Sequence, residues 1–574
     1  MGKTIRLFMW AYQHVLRIGL GSLAKNVFAA LDQDITPTAM LVGIRVPEAL
    51  DGYPVCLEPE DEDWDPSIFS ACAERAEQIY AEHPDHNLFY GDAPSMSEKP
   101  ENIRKSSAKM AVMEILASYD VGHNTTSYCG MAVRVKNYHV VPVLQFSTEC
   151  LALLPTIGAN IKYGGFKASS SLCDSIIECI LDETSRKLSE QTPGRFIHRH
   201  EPDITAILRK AASIFCFAVS LDSDSFLMSD IFDSLNTISS LRYEGGETKG
   251  KVIFSRGENP AVDLRLSFET PIPLSNASLA RKIVEMSGKE IACITQGDLG
   301  LVGLGVMRPD MGKMFHAVFS GHYRWELYYG NTHLMTTAFG VPAFPSTRLG
   351  KETFWANIKR IMSTQPNVNF VQIWDCVSAA MEQGHGTMLV ISEDAKAEAQ
   401  RLTRQSLPIT PVELTPDIVR RISGIDGAIL IGVDCFCHAI GVILDGLATT
   451  DGDPARGARY NSAIRYVRSS STDTLCIVVS EDGKVDMIPT LMPQISRIEV
   501  QRHVDMLSGQ THENYHKNRN WLDNHRFYLT QEQCDVVNTE MERISNEKRE
   551  VGEILLTIAS FKPHPIMDET YYLD

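Results

Sequence analysis

The sequence predicts a multidomain α/β protein whose C-terminal part holds a mixed β-sheet flanked by helices. Three observations predict it. At 574 residues the chain is too long for one hydrophobic core. Short buried β-runs alternate with helical patterns in two separate stretches, 103–190 and 370–490. Between them, glycine-punctuated strand-like runs crowd 205–350.

In order, the divisions are an N-terminal α/β region (1–195), a mixed or antiparallel sheet domain (205–350), a third domain at 365–500 and a helical extension (501–574). The first begins with Pro- and acid-rich connectors at 59–67, 83–86 and 91–102 around a helical pattern, IFSACAERAEQIYAEH (68–83). IRKSSAKMAVMEILASY (103–119) predicts a helix, GMAVRVKNYHVVPVLQF (130–146) strands, and SSSLCDSIIECILDETSRKL (169–188) a second helix. Turn formers at 191–204 mark a boundary. The apolar run AASIFCFAVS (211–220) reads as strand, as do KVIFSR, AVDLRLSFET, EIACITQG, LVGLGVM, MFHAVFSG, RWELYYG and HLMTTAFG, with NASLARKIVEMSG (276–288) a helix among them. Residues 351–370 read as a linker helix, and 525–561 as polar helix.

Composition narrows the function. The 44% hydrophobic and 22% charged residues belong to a folded chain. The formal charge of −18, with no Lys/Arg block, argues against a groove for long nucleic acid. It leaves room for a small anionic ligand held by a few arginines or amides. Thirteen scattered cysteines without CxxC spacing read as reduced, buried side chains. The first 21 residues are interrupted by Gln13, His14 and Arg17, unlike a signal h-region, and Arg6 stands where a myristoylation pattern wants Ser or Thr. No run of 18 apolar residues occurs, so no membrane span and a cytoplasmic location are expected.

Four features fall in order near the C-terminus: GHGTMLVISED (384–394), IDGAILIGVD (425–434), GDPARGARYNSAIRYV (452–467) and TDTLCIVVSEDGKVDMIP (472–489). Strand ends and a helix N-terminus would meet at one edge of a mixed sheet. Amides after Gly457 could hold phosphate, with Arg456 or Arg459 pairing to its oxygens. Asp426 could hold Mg²⁺ or Mn²⁺, or bond a ribose or base. Ser480 and Glu481 add polar contacts. Plain structure explains each signal singly as well.

Taken in order, these pieces resemble the diadenylate cyclase (DAC, DisA N-terminal) domain of bacteria, whose signature is DGA, then G-[TA]-R-H-R-A-A, then a strand ending VVSEE-x-G. Here stand DGA (426–428), GARYNSA (457–463) and IVVSEDG (477–483). The resemblance covers roughly 365–495. It implies a nucleotide site built from Asp426, Gly427, Ala428, Gly457, Arg459, Tyr460, Asn461, Ser480 and Glu481. In that family two ATP meet between face-to-face domains and become cyclic di-AMP with Mg²⁺ or Mn²⁺. Asp426 would then be the catalytic and metal-side residue of an active enzyme, and two copies of the chain would pair. The RHR triplet, which handles the triphosphate, maps on Arg459, Tyr460 and Asn461, so one cation of three is kept. Phosphoryl transfer rests on electrostatic stabilisation, so this loss should hurt turnover more than recognition. The expected function is a nucleotide sensor for an adenine nucleotide or cyclic dinucleotide. An active cyclase, and a structural module using the fold without nucleotide, stay open.

Other motifs read as structure. CFCH (435–438) alternates on a strand and is half a zinc site at best. FIHRHEPD (196–203) and HPDH (83–86) are weak metal patterns. The aromatic stretch 320–340, with His322, Arg324, Trp325, Tyr328, Tyr329 and His333, reads as sheet core or interface before base stacking. GLVGLGVM (300–307) lacks the full dinucleotide fingerprint.

Overall fold

The computed structural model describes residues 5–573, apart from 7, 32, 34, 50, 60–65, 164–165, 196–201, 224–229, 243–245, 257–258, 260, 289, 298–299, 309–312, 346–348, 363–367, 384, 448–451, 453–455, 481–483, 513–514 and 548–558. The chain divides into two compact units, Met1–Pro345 and Ser346–Asp574.

The first unit holds a six-stranded and an eight-stranded sheet. Tyr138–Ser147 is central in the first, antiparallel to Thr38–Arg45 on one side and Thr125–Cys129 on the other. Its residues are buried along nearly the whole length, as a strand covered on both faces must be. The second sheet is mixed. Gly250–Ser255 runs parallel to Ala292–Gln296, and antiparallel hairpins continue through Phe315–Gly321, Arg324–Tyr329 and Thr332–Ala338. The glycines of LVGLGVM serve this sheet: a Cβ on Gly303 would overlap the Leu266 carbonyl, and one on Gly305 would lie 2.8 Å from the Asp263 carbonyl oxygen.

Two elements differ from the sequence reading. The run at 211–220 is not strand but part of a helix, Ile204–Asp222, started by the Asp203 carboxylate accepting from the Thr205 and Ala206 amides. Its buried residues Leu208, Ala211, Ala212, Phe215 and Val219 recur every three or four positions, the spacing of a helix face. By length and composition this helix could cross a membrane; in the fold those side chains lie in the first unit's core. The helix expected over 103–119 instead spans Ala93–His123. The connector before it is absorbed because Asp92 caps the Ser95 amide at 2.8 Å and Pro94 sits in the first turn, where its missing N–H costs nothing.

In the second unit six strands lie in the spatial order Leu407–Glu413, Phe436–Val442, Ala428–Gly432, Thr387–Ser392, Thr474–Val479, Val485–Ile488. Thr387–Ser392 and Ala428–Gly432 are parallel and the other neighbours antiparallel. Period-two alternation divides the side chains between two cores. Leu389, Ile391, Ile429, Ile431, Leu475 and Ile477 face the helices Lys351–Ile361 and Phe370–Met381, the first of which packs Phe354 and Ile358 into this layer. Met388, Val390, Leu430, Cys476 and Val478 face the other way, toward Ala395–Arg401 and Ala458–Ser469. Helices Arg497–Met506, His516–Asn524 and Gln531–Ser545 share a separate core. All cysteines are free thiols, and all but Cys150 are buried.

Candidate functional site

Strand register brings the C-terminal motifs to one edge. Thr387 pairs with Val479, and Leu389 with Ile429, so Gly386, the Asp426–Gly427 turn and Ser480 end three adjacent strands on the same side. The turn is shaped by two glycines. Gly427 has φ of +106°, and a Cβ there would lie 2.5 Å from the carbonyl carbon of Gly441, itself at φ +60°. No L side chain fits this crossing, which explains the glycine of DGA without a ligand. The crossing turns Asp426 outward: its side chain is 99% exposed, and Oδ1 accepts from the Gly427 amide at 3.1 Å. Ala428 starts the buried strand.

Gly457 is the N-cap of the helix Ala458–Ser469, with no side-chain cap, and among the described residues nothing lies within 4 Å of where its Cβ would be. Gly457 and Ala458 are exposed, so the helix begins at the surface beside Arg459, an arrangement able to receive phosphate. Arg459 Nη2 lies 3.5 Å from Asp426 Oδ1, and Nη1 passes over Gly386, where a Cβ would be 2.6 Å away. Its Nε is buried and has no hydrogen-bond partner among the described residues. The flanking groups are otherwise engaged. Arg456 is ion-paired with Asp486 and lies 4.4 Å from the centre of the Tyr460 ring. Tyr460 packs against the core beneath the helix. Asn461 Nδ2 donates to the carbonyls of Arg456 (2.9 Å) and Gly457 (3.3 Å), fastening the loop to the helix. Arg465, six residues further on, is rotated about 120° from Arg459 at 100° per residue. Ser480 closes a turn, its amide and hydroxyl both donating to the Lys484 carbonyl. Glu481 lies outside the described residues.

His385 and Ser423 stand at the same edge and were not singled out from sequence. His385 Nε2 is 3.2 Å from the hydroxyl of the buried Ser423, just before the Asp426 turn. The GHGT wording before the strand was the available signal. For a divalent metal, no group of three or more His, Cys, Asp or Glu occurs among the described residues. Asp426 supplies one exposed carboxylate, which fits Mg²⁺ or Mn²⁺ held mainly by nucleotide phosphates and water.

Comparison with known proteins finds three family-model matches along the chain. Residues 375–490 match the model described as the DisA bacterial checkpoint controller nucleotide-binding family, DAC. The C-terminal unit carries a DAC domain. Ahead of the DAC domain, residues 9–216 match a model described as a probable sensor domain, DACNG, and 229–331 another, DACNH. The three matches support a DAC-related nucleotide-binding role and are consistent with a DAC-like sensor protein. No curated protein matches. Among solved structures, a hypothetical membrane spanning protein from Bacillus cereus is 24% identical over 23% of this chain, with a TM-score of 0.19. The match spans 64% of that protein, under two-thirds of its length. A double mutant of DacA from Staphylococcus aureus is 16% identical, over 23% of this chain and 89% of its own, with a TM-score of 0.18.

The remaining motifs are occupied structurally. Cys435 and Cys437 are buried on one face, with Cys435 Sγ 3.9 Å from Cys376 Sγ. That hydrogen bond and burial hold the Cys435 thiol far above its ordinary pKa, unlike a metal-binding thiolate. In HPDH the two histidines serve different neighbours: His83 Nδ1 accepts from the Asp85 amide and His86 Nε2 meets the Tyr80 carbonyl. Of FIHRHEPD, residues 196–201 lie outside the described residues, and Asp203 is the helix cap noted above. In 320–340, Trp325 is fully buried with Nε1 donating to Asn236, while Tyr328 stacks between His316 and His333 on the other sheet face.

Proposed function

We propose that the DAC domain binds an adenine nucleotide or a cyclic dinucleotide as a sensor and does not join two ATP into cyclic di-AMP. One observation carries this reading. Of the arginines at 456, 459 and 465, Arg459 is the one beside Asp426 and the open helix start; Arg456 is held by Asp486, and helix geometry turns Arg465 away. One guanidinium and a helix N-terminus suffice to seat a phosphate. Stabilising the charge that develops on a transferring phosphoryl group takes more. Mg²⁺ or Mn²⁺, when bound, would supply part of that charge stabilisation at Asp426. The ligand is then a small nucleotide met in the cytoplasm, and pairing of two copies would respond to it.

The test incubates purified full-length protein with ATP and Mn²⁺, following binding and conversion in one sample. Binding without conversion, weakened at least tenfold by Arg459→Ala, is the expected result. Formation of cyclic di-AMP, abolished by Asp426→Asn, would overturn the sensor reading in favour of an active cyclase. Absence of any binding would leave the domain a structural module.

A further inference from the structure

One hydrogen bond at the C-terminal site ties together the two chain segments that carry its opposed charges. In the parallel pair Thr387–Ser392 and Ala428–Gly432 the register runs from Leu389–Ile429 to Ser392–Gly432. Continued three residues back, it sets Gly386 level with Asp426, but the ladder between these two strands stops at Leu389. On its other side the strand Thr387–Ser392 stays paired as far as Thr387, opposite Val479. The stretch 385–388 is therefore laddered toward Val479 and not toward Asp426.

His385 spans that gap. Met388 and Val390 face the helix Ala458–Ser469, so alternation puts Gly386 under Arg459 and turns His385 to the opposite face, toward the helix Pro416–Ile422. His385 Nε2 lies 3.2 Å from Oγ of Ser423, the C-cap of that helix. Ser423 is 2% exposed and its amide donates to the Val419 carbonyl at 2.9 Å, so the anchor is fixed. The imidazole packs on Gly424, where a Cβ would be 3.8 Å from Nε2. Asp426 follows three residues after Ser423, and Gly386 one residue after His385.

The two charges do not fix their own spacing. Asp426 is 99% exposed, and its Oδ1 is 3.5 Å from Arg459 Nη2, at the limit of a hydrogen bond. An exposed pair of this kind contributes little. What keeps Asp426 and Arg459 at a separation one ligand can bridge is the backbone beneath them, and at this level the bond between His385 and Ser423 joins the two segments. We propose that His385 is a positioning residue of the nucleotide site, acting through Ser423 to set the Asp426 turn against the strand start that seats Arg459. This role rests on the nucleotide-sensor reading above, and His385 fills it without touching the ligand.

The test titrates full-length protein by calorimetry with ATP and Mn²⁺ and, separately, with cyclic di-AMP. His385→Ala is expected to weaken the ligand that binds about three- to tenfold, the size of one lost hydrogen bond. Ser423→Ala should do the same, and the double variant should be no weaker than either single one. His385→Gln carries an amide where Nε2 stood and should recover affinity to within about twofold. In an Asp426→Ala background His385→Ala should cost less than about twofold, because the group it positions is gone. A purely structural histidine would lower Tm and leave affinity alone, or would cost the same in both backgrounds. Either result overturns the proposal, as does failure of His385→Gln to rescue. Wild-type protein that binds neither nucleotide would fail at the first titration and overturn the sensor reading as well.

Discussion

Arg456 is ion-paired with Asp486 across the start of the helix Ala458–Ser469, three residues from the Arg459 that faces Asp426. The pair withholds a second cation from the open helix terminus, and the Tyr460 ring beneath the guanidinium holds it there. Asp486→Asn should release it. Affinity for a nucleoside triphosphate is expected to rise three- to tenfold, about 0.7–1.4 kcal/mol, measured by calorimetry at fixed salt. Arg456→Gln in the wild-type background should change affinity less than twofold. A large loss in that variant would show that Arg456 already touches the ligand.

Restoring the arginine of the cyclase signature at 461 should not restore phosphate handling. The Asn461 amide donates to the carbonyls of Arg456 and Gly457, and Asn461→Arg removes both bonds. We expect a loss of about 1 kcal/mol in stability and no gain in nucleotide affinity. Urea denaturation read beside a binding titration checks this, and a rise in affinity at unchanged stability would contradict it.

The glycine crossing at the site gives a purely steric expectation. Gly427→Ala must adopt φ near +106° and place its Cβ against the Gly441 backbone. The strain alone is worth about 1–3 kcal/mol, and the clash displaces the Asp426 turn. Nucleotide binding should fall at least as far as in Asp426→Ala, with a lowered Tm in the same variant. Normal binding with wild-type Tm would mean the turn relaxes freely.

How much of this was legible in the sequence depends on how local the cause is. The strands at 387–392, 428–432 and 474–479 announce themselves as short apolar runs between turns, and Asp426, Gly457 and Arg459 stand in ordered motifs. Their meeting at one edge follows from strand ends and a helix start that such runs imply. The pairs Arg456–Asp486 and His385–Ser423 join residues 30 and 38 positions apart, which no periodicity reveals. The helix Ile204–Asp222 was hidden by its own composition: its apolar residues occupy several faces, so a window from its middle reads equally as a buried strand. The start of Ala93–His123 was hidden by two prolines, one of them tolerated in the first turn.

The first unit should lose stability in mild acid through His316. Burial, with Lys251 nearby, pushes this histidine down to about 4, while the Met314 backbone favours the charged form. Its ring is stacked on Tyr328, and its Nδ1 has no hydrogen-bond partner among the described residues. An unfolded histidine takes up its proton near pH 6.5. Between that value and about 4 the unfolded chain therefore binds more protons than the folded one. Stability contributed by the neutral ring is complete above pH 6.5 and drains away as pH falls toward 4. Burial also lowers His139, which acts in the same direction. Denaturant midpoints at pH 7.5, 6, 5 and 4 should fall steadily for the wild type. His316→Phe keeps the stacked ring and removes the titration, so it should flatten the slope by roughly 1–3 kcal/mol over that range. An identical slope in the variant would assign the acid sensitivity to other groups.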